Sequence, residues 1–238
     1  MGAGIENELK YILQPTDRLA AILAVDPRLR IRLLLQGYIG HGTRLRAIVD
    51  PVERTATYVL SAKRHIEDGP HAGMAKEKER VISRREFADR WVQACPTVQV
   101  LKTRMTLDAT HGPDGAHWDI DFLRNHGNRF WQPPAIDDII ETARHAPIYF
   151  ALAEAEMPVI MARPRAIPHL LAGRILHEVP RGAKGYGNKK LADPLYAQRL
   201  LATLVAGHGQ FDGSRYAVFH PGNLDEVRRA VAVHAVAA

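Results

Sequence analysis

Seven pairs of like-charged side chains two residues apart stand out along this chain. The acidic pairs are Glu6/Glu8, Glu77/Glu79, Asp119/Asp121 and Glu154/Glu156. The basic pairs are Arg30/Arg32, Arg44/Arg46 and Lys102/Arg104, and Lys10 and Lys63 add two further cations. In a β-strand residues i and i+2 project to one face. Each pair, read as strand, therefore sets two like charges side by side, where a solvated face ordinarily mixes signs or intersperses Thr and Ser. One such pair reads as a solvent-facing strand. Seven of them, most on segments whose alternate positions are apolar, do not. Ile5, Leu9 and Tyr11 oppose Glu6, Glu8 and Lys10, and Leu29, Ile31, Leu33, Leu35 and Ile39 oppose Arg30, Arg32, Gln36 and Tyr38. The pattern predicts a closed β-barrel whose charged faces share one lumen and whose apolar outside is covered by helices.

The sequence supplies such helices. Thr16 caps a predicted short helix to Ala24, and Ser83 with Glu86 gives the capping-box signal for a helix running to about Ala94 before Pro96. Pro134 and Asp137 to Ala146 predict another helix, Ile167 to Leu171 a short one, and Leu195 to Ala206 a further one. Arg215 to Phe219 is a predicted strand, and Asn223 caps a predicted helix from Leu224 with Asp225 and Glu226 in its first turn. The expected class is β-dominated α+β, an eight-stranded antiparallel barrel over residues 1–192 with an insertion at about 123–147. A helical extension, 193–238, packs on it.

A lumen lined by both signs needs contents. Cations alone suit a polyanion, and carboxylates alone suit Mg²⁺ or Mn²⁺, which prefer oxygen ligands. Both together suit a metal–triphosphate complex, with Arg and Lys on phosphate oxygens and carboxylates on the bridging metal. The net charge of +6 favours an anionic partner in the same sense. The single cysteine, Cys95, excludes an internal disulfide and a cysteine zinc site. No apolar run approaches the length of a membrane span, and the start of the chain has no signal-peptide pattern, so a cytoplasmic protein without membrane contact is expected.

Glu6-Asn7-Glu8-Leu9-Lys10 is a Glu-x-Glu-x-Lys strand. In order follow Gln36-Gly37-Tyr38-Ile39, Arg44-Leu45-Arg46, Tyr58 to Lys63, Glu77-Lys78-Glu79 and the Ser83 helix. After these come Lys102-Thr103-Arg104, Trp118 to Asp121, Glu154-Ala155-Glu156, Gly173 to Val179, Tyr186-Gly187-Asn188 and Leu191-Ala192. This succession resembles the CYTH, or triphosphate tunnel, family over about residues 5–192. The resemblance implies an eight-stranded antiparallel tunnel. It implies that Lys10, Arg44, Arg46, Lys63, Lys102 and Arg104 bind triphosphate. It implies further that Glu6, Glu8, Glu77, Glu79, Asp119, Asp121, Glu154 and Glu156 bind or orient Mg²⁺ or Mn²⁺. A Tyr–Lys pair activates the nucleophile in the family's inorganic triphosphatases, and the matching positions are Tyr38 and Lys102. Where many members carry Arg before the middle Glu-x-Glu, this chain has Ala75, with Lys76 as the nearest substitute, and Asp119 stands where a longer Glu is common.

The expected activity is metal-dependent hydrolysis of inorganic triphosphate or a small organic or nucleoside triphosphate. The same fold would also serve a class IV adenylyl cyclase, or a protein that binds nucleotide or polyphosphate without turnover. An RNA 5′-triphosphate end and a homodimer stay open as partners. Other features carry less. His41, His65, His71 and His111 read as solvated loop residues, and Trp91, Trp118 and Trp131 as packing residues. Gly182 to Lys190 lacks P-loop spacing and is expected to close one tunnel mouth, with Lys184 in reach of substrate.

Overall fold

The computed structural model describes residues 4–14, 20, 26, 29–40, 42–107, 115–208 and 211–219. The helices expected after Thr16 and Asn223, and His41 and His111, lie outside the described residues. Eight strands form the ring: β1 (Gly4–Leu13), β2 (Arg30–Tyr38), β3 (Thr43–Asp50), β4 (Thr55–His65), β5 (Ala75–Ile82), β6 (Gln99–Leu107), β7 (His117–Arg124) and β8 (Ile148–Met157). Their order is β1-β5-β4-β3-β2-β6-β7-β8, and β8 pairs again with β1, so the antiparallel barrel is closed. The fold is thus a β-dominated α+β barrel, as the alternating charges demand. Closure removes the free strand edges that an open sheet would expose.

β1 is the keystone. One edge runs along β8 from Asn7 to Leu13. The other edge is shared: Gly4 to Glu6 pair with β5, and Lys10 to Leu13 pair with a further strand, β10 (Ile175–Val179). A short parallel pair, β9 (Ala166–Pro168) with β11 (Ala217–Phe219), brings the C-terminal chain back beside the barrel. Ile167 to Leu171, expected as helix, is instead this strand followed by turns closed by Leu171 N–H to the Pro168 carbonyl. Pro168 bars a helical run through its own position, since it has no N–H to give.

Helices cover the apolar outside. Ser83 Oγ accepts the Glu86 N–H at the start of α1 (Arg84–Ala94). The Glu86 carboxylate turns to Arg80 and Arg90 instead of back to Ser83, so only half of the expected capping box forms. α1 and α2 (Ile136–His145) lay Phe87, Trp91, Ile139, Ile140 and Ala143 over Leu33, Leu35, Leu45, Ala47 and Leu101 of the strands. A second outer cluster joins Leu9, Tyr11, Trp118, Ile120 and Phe122 to Leu171, Tyr216 and Phe219. Trp91 and Trp118 are fully buried, as expected, whereas Trp131 is 59% exposed and packs into neither cluster.

The third cluster closes part of one barrel end. Ile12, Val100, Leu123 and Leu152 share strand faces with the charged residues two positions away, and Phe150 with Glu154 four positions on, so they point into the lumen at its end. Leu191 of α3 (Asn188–Leu191) and Ala197 of α4 (Pro194–Thr203) pack onto them. Asp193 caps α4 by accepting the Leu195 and Tyr196 N–H groups, and the chain then kinks at Gly207, where φ is 101°.

Phe219 is 1% exposed on the outer face of the barrel. Phe219→Ala should therefore cost about 3–5 kcal/mol of unfolding free energy. Urea denaturation checks this, and a loss below ~1 kcal/mol would mean that β11 lies outside the cooperative unit.

Candidate functional site: a self-paired charged lumen

Alternation in eight strands puts the charges where the sequence predicts. A cavity of about 810 Å³ is lined by Glu6, Glu8, Lys10, Tyr38, Arg44, Arg46, Lys63, Glu77, Glu79, Lys102, Arg104, Asp119, Glu154 and Glu156. Of the predicted site residues only Asp121 is missing from that wall: it is wholly buried beneath it. Arg30 and Arg32 form the one basic pair that does not reach the cavity. Arg30 is exposed, and Arg32 pairs with Asp50 at 2.7 Å. Lys76, the expected stand-in beside Ala75, is on the outer face of β5 and exposed, so it gives the lumen nothing.

Each of the six lumen cations carried by the strands holds a carboxylate. Lys10 bridges Glu8 and Glu154. Lys63 meets Glu6 at 2.7 Å and Glu8 at 3.4 Å. Arg44 pairs with Glu77 and donates from Nε to Ser61 Oγ at 3.1 Å. Arg46 reaches Glu79 at 2.5 Å and Glu77 at 3.4 Å, and its Nε donates to Gln36 Oε1 at 3.0 Å. Lys102 is held by Asp121. Arg104 forks onto both oxygens of Asp121 at 2.7 Å, and also reaches Asp119 and, at 2.8 Å, Glu154. The two-point fork on Asp121 fixes the guanidinium plane as a lysine in its place would not.

The titration behaviour follows from these contacts. Burial and Glu154 push the Glu8 carboxyl up, but Lys10 and Lys63 outweigh them and hold it at about 2. Burial likewise opposes the charge on Glu154, and Lys10, Lys102 and Arg104 hold it well below the usual range. Two carboxyls go the other way. Burial, then Glu8, push Glu6 up to about 8 despite Lys63. Burial raises Glu156, with Glu8 and Asp119 adding to the rise, and Glu156 has no ion-pair partner among the described residues. Glu8 and Glu156 are direct cross-strand neighbours. At about 4 Å and an effective dielectric near 20, two like charges repel by roughly 4 kcal/mol. Glu6 and Glu156 are thus the carboxylates of the lumen short of positive charge.

Among the described residues no three of His, Cys, Asp and Glu converge closely enough to hold a metal ion unaided. The donor set still fits Mg²⁺ or Mn²⁺: it is all oxygen, and it contains under-compensated carboxylates. Mg²⁺ is typically bound by one or two carboxylates together with phosphate oxygens, not by an all-protein cage.

Burial and then Arg104 lower the proton affinity of the Lys102 ammonium, with Asp121 and Glu154 opposing. Tyr38 stands at the cavity wall, its hydroxyl pushed up by burial and partly offset by Arg44, Arg46 and Lys10. Lys189 of α3 lies 5.9 Å over the Tyr38 ring. Gly187, Asn188 and Lys189 line the cavity, whereas Lys184, expected to face substrate, does not. His65 closes β4 and lines the cavity instead of standing in a loop. Sequence reasoning also passed over His117, Thr106 and Ser61. His117 Nε2 lies 3.2 Å from Asp119 Oδ1, and Thr106 Oγ1 donates to the same oxygen at 2.5 Å. Each stands two residues from a charged lumen residue, so the same alternation would have found it.

The chain matches no protein-family model, and no curated protein matches it.

Asp121→Ala should destabilise the fold by about 3–5 kcal/mol, because it strands the buried Lys102 and Arg104 charges. A chemical denaturation series measures this, and a cost below ~1 kcal/mol would show that water reaches these cations.

Proposed function

We propose that the lumen binds a triphosphate together with Mg²⁺ or Mn²⁺ and hydrolyses a terminal phosphoanhydride bond. The observation that carries this reading is the wall itself: six cations on the strands, each held by a carboxylate, and seven carboxylates face one cavity. The resemblance of the strand motifs to the triphosphate tunnel family points the same way. Among the described residues no helix is long and apolar enough to cross a membrane. We place the protein in the cytoplasm, where nucleoside triphosphates and Mg²⁺ are at hand.

Lys10, Arg44, Arg46, Lys63 and Arg104 would turn from their carboxylates to the phosphate oxygens. Glu6, Glu8 and Glu156, with Asp119 beside them, would hold the metal. Bound there, the metal would offset charge on the phosphate oxygens and lower the pKa of a bound water. Asp121 holds the Arg104 guanidinium plane through Nε and one terminal nitrogen, and the other terminal nitrogen, which meets Asp119, would turn to charge developing on the transferring phosphoryl group. Lys102, buried and with its proton affinity lowered, would accept the proton of the attacking water as a neutral amine, its own proton having first passed to Asp121, to which it is hydrogen-bonded. Tyr38 at the wall orients that water through its hydroxyl.

Since the carboxylates released by the anion are those that would meet the metal, the two ligands should bind cooperatively. Calorimetric titration should give at least a tenfold tighter fit for tripolyphosphate with Mg²⁺ than with chelator; equal affinities would remove the shared-site argument. Turnover is tested by phosphate release from tripolyphosphate, ATP, GTP and thiamine triphosphate, with Mg²⁺, Mn²⁺ or chelator. Release that needs the metal and falls at least a hundredfold in Glu6→Gln and Lys102→Met is expected. Cyclic AMP and pyrophosphate from ATP would point to a cyclase, and tight binding without product would leave a binding protein.

A further inference from the structure

The strands that bring Lys63 and Glu77 to the lumen carry a second set of charges on their other face. Arg64, Lys76 and Lys78 alternate with the inward residues and are exposed on the outside of the barrel. Arg64 and Lys76 are direct cross-strand partners, and Lys78 lies two residues along the same strand. Like charges placed opposite one another destabilise a sheet. Unlike the lumen cations, none of the three has an ion-pair or hydrogen-bond partner among the described residues. Arg80, next on that face, is already neutralised by Glu86. Neither outer apolar cluster reaches this stretch, so among the described residues no helix covers it.

We propose that this outer face of β4 and β5 is an anion-binding surface, separate from the lumen, and that its ligand is a chain of inorganic polyphosphate. The partner follows from what the face offers and what it lacks. Three uncompensated cations lie within one strand spacing, about 5 Å, and one two-residue step, about 7 Å. Such a face binds by charge alone. A protein partner would need an apolar centre to the interface, and Arg64, Lys76 and Lys78 surround none. A single-stranded nucleic acid would need aromatic rings on which to stack its bases. No aromatic side chain stands among these residues on β4 and β5, since Tyr58 is buried under α1. Polyphosphate carries charge on every unit, has no faces to stack, and asks only for closely spaced cations.

The test compares the full-length protein with an Arg64→Ser/Lys76→Ser/Lys78→Ser variant. Binding of long-chain inorganic polyphosphate is measured across a salt series, with saturating tripolyphosphate present to occupy the lumen. The wild type should still bind the long chain. The variant should lose about tenfold or more in affinity at low salt, and the slope of log K against log[salt] should flatten by about two to three. Its melting temperature should not fall, because the change relieves like-charge repulsion. Three results would overturn the proposal: equal binding by the variant, complete displacement of the long chain by tripolyphosphate, or no binding by the wild type. Tighter binding of a single-stranded RNA homopolymer, or of phosphatidylserine vesicles, with the same dependence on these three residues would overturn it too. The lumen reading stands or falls separately, on tripolyphosphate alone.

Discussion

A charge inside a protein survives only with a counter-charge, because burial without one costs several kcal/mol. The barrel depends on that rule. Its lumen is walled by charged side chains, and in the absence of a ligand they can remain ionised only by pairing with each other. Asp121 anchors the arrangement: wholly buried, it holds Lys102 and receives both arms of the Arg104 fork. Lys10 then joins Glu8 to Glu154 across the β1–β8 seam. The ring closes at that seam, so the same contacts that neutralise the lumen also zip the barrel shut.

The rest of the fold answers the converse demand. Strands that spend their polar side chains inward must show apolar ones outward, and an apolar barrel surface needs cover. α1 and α2 shield β2, β3, β4 and β6, while β9, β11 and the turns after β9 shield β1, β7 and β8. The chain between β7 and β8 thereby has a packing role: Phe130 lies in the outer cluster, its carbonyl accepts the Trp91 indole N–H, and α2 follows it. Tyr216 ties the C-terminal segment to β10 by donating to Glu178 at 2.5 Å.

Much of this was legible in the sequence because one rule, period-two alternation, governs both the strands and the site. Glu6, Glu8, Lys10, Arg44, Arg46, Lys102, Arg104, Glu154 and Glu156 all line the cavity that the rule predicts. Alternation names a face but not a depth, however. It could not tell that Asp121 sinks beneath the wall while Glu79 is half-exposed, nor that Arg32 turns to Asp50. Depth is set by the register around the closed ring, which depends on pairings far apart in sequence. The short helix expected at Ile167 failed for a related reason. Its apolar residues serve a parallel pairing with Ala217 to Phe219, some fifty residues on, and no local pattern announces such a partner.

The same rule separates two populations of cations that composition alone would merge. Lys63 and Lys76 differ little as sequence, each next to another charge in a strand. One faces in, is four-fifths covered, and is held by Glu6 and Glu8; the other faces out, opposite Arg64, and is held by nothing among the described residues. The inward cation must break an ion pair to take an anion, so its affinity comes with a requirement for something to receive the freed carboxylate. The outward cations carry no such requirement. On the function proposed above, a divalent metal would therefore accompany an anion in the lumen and would have no part to play on the outer face. Metal dependence would thus distinguish anion binding at the two surfaces by their physics.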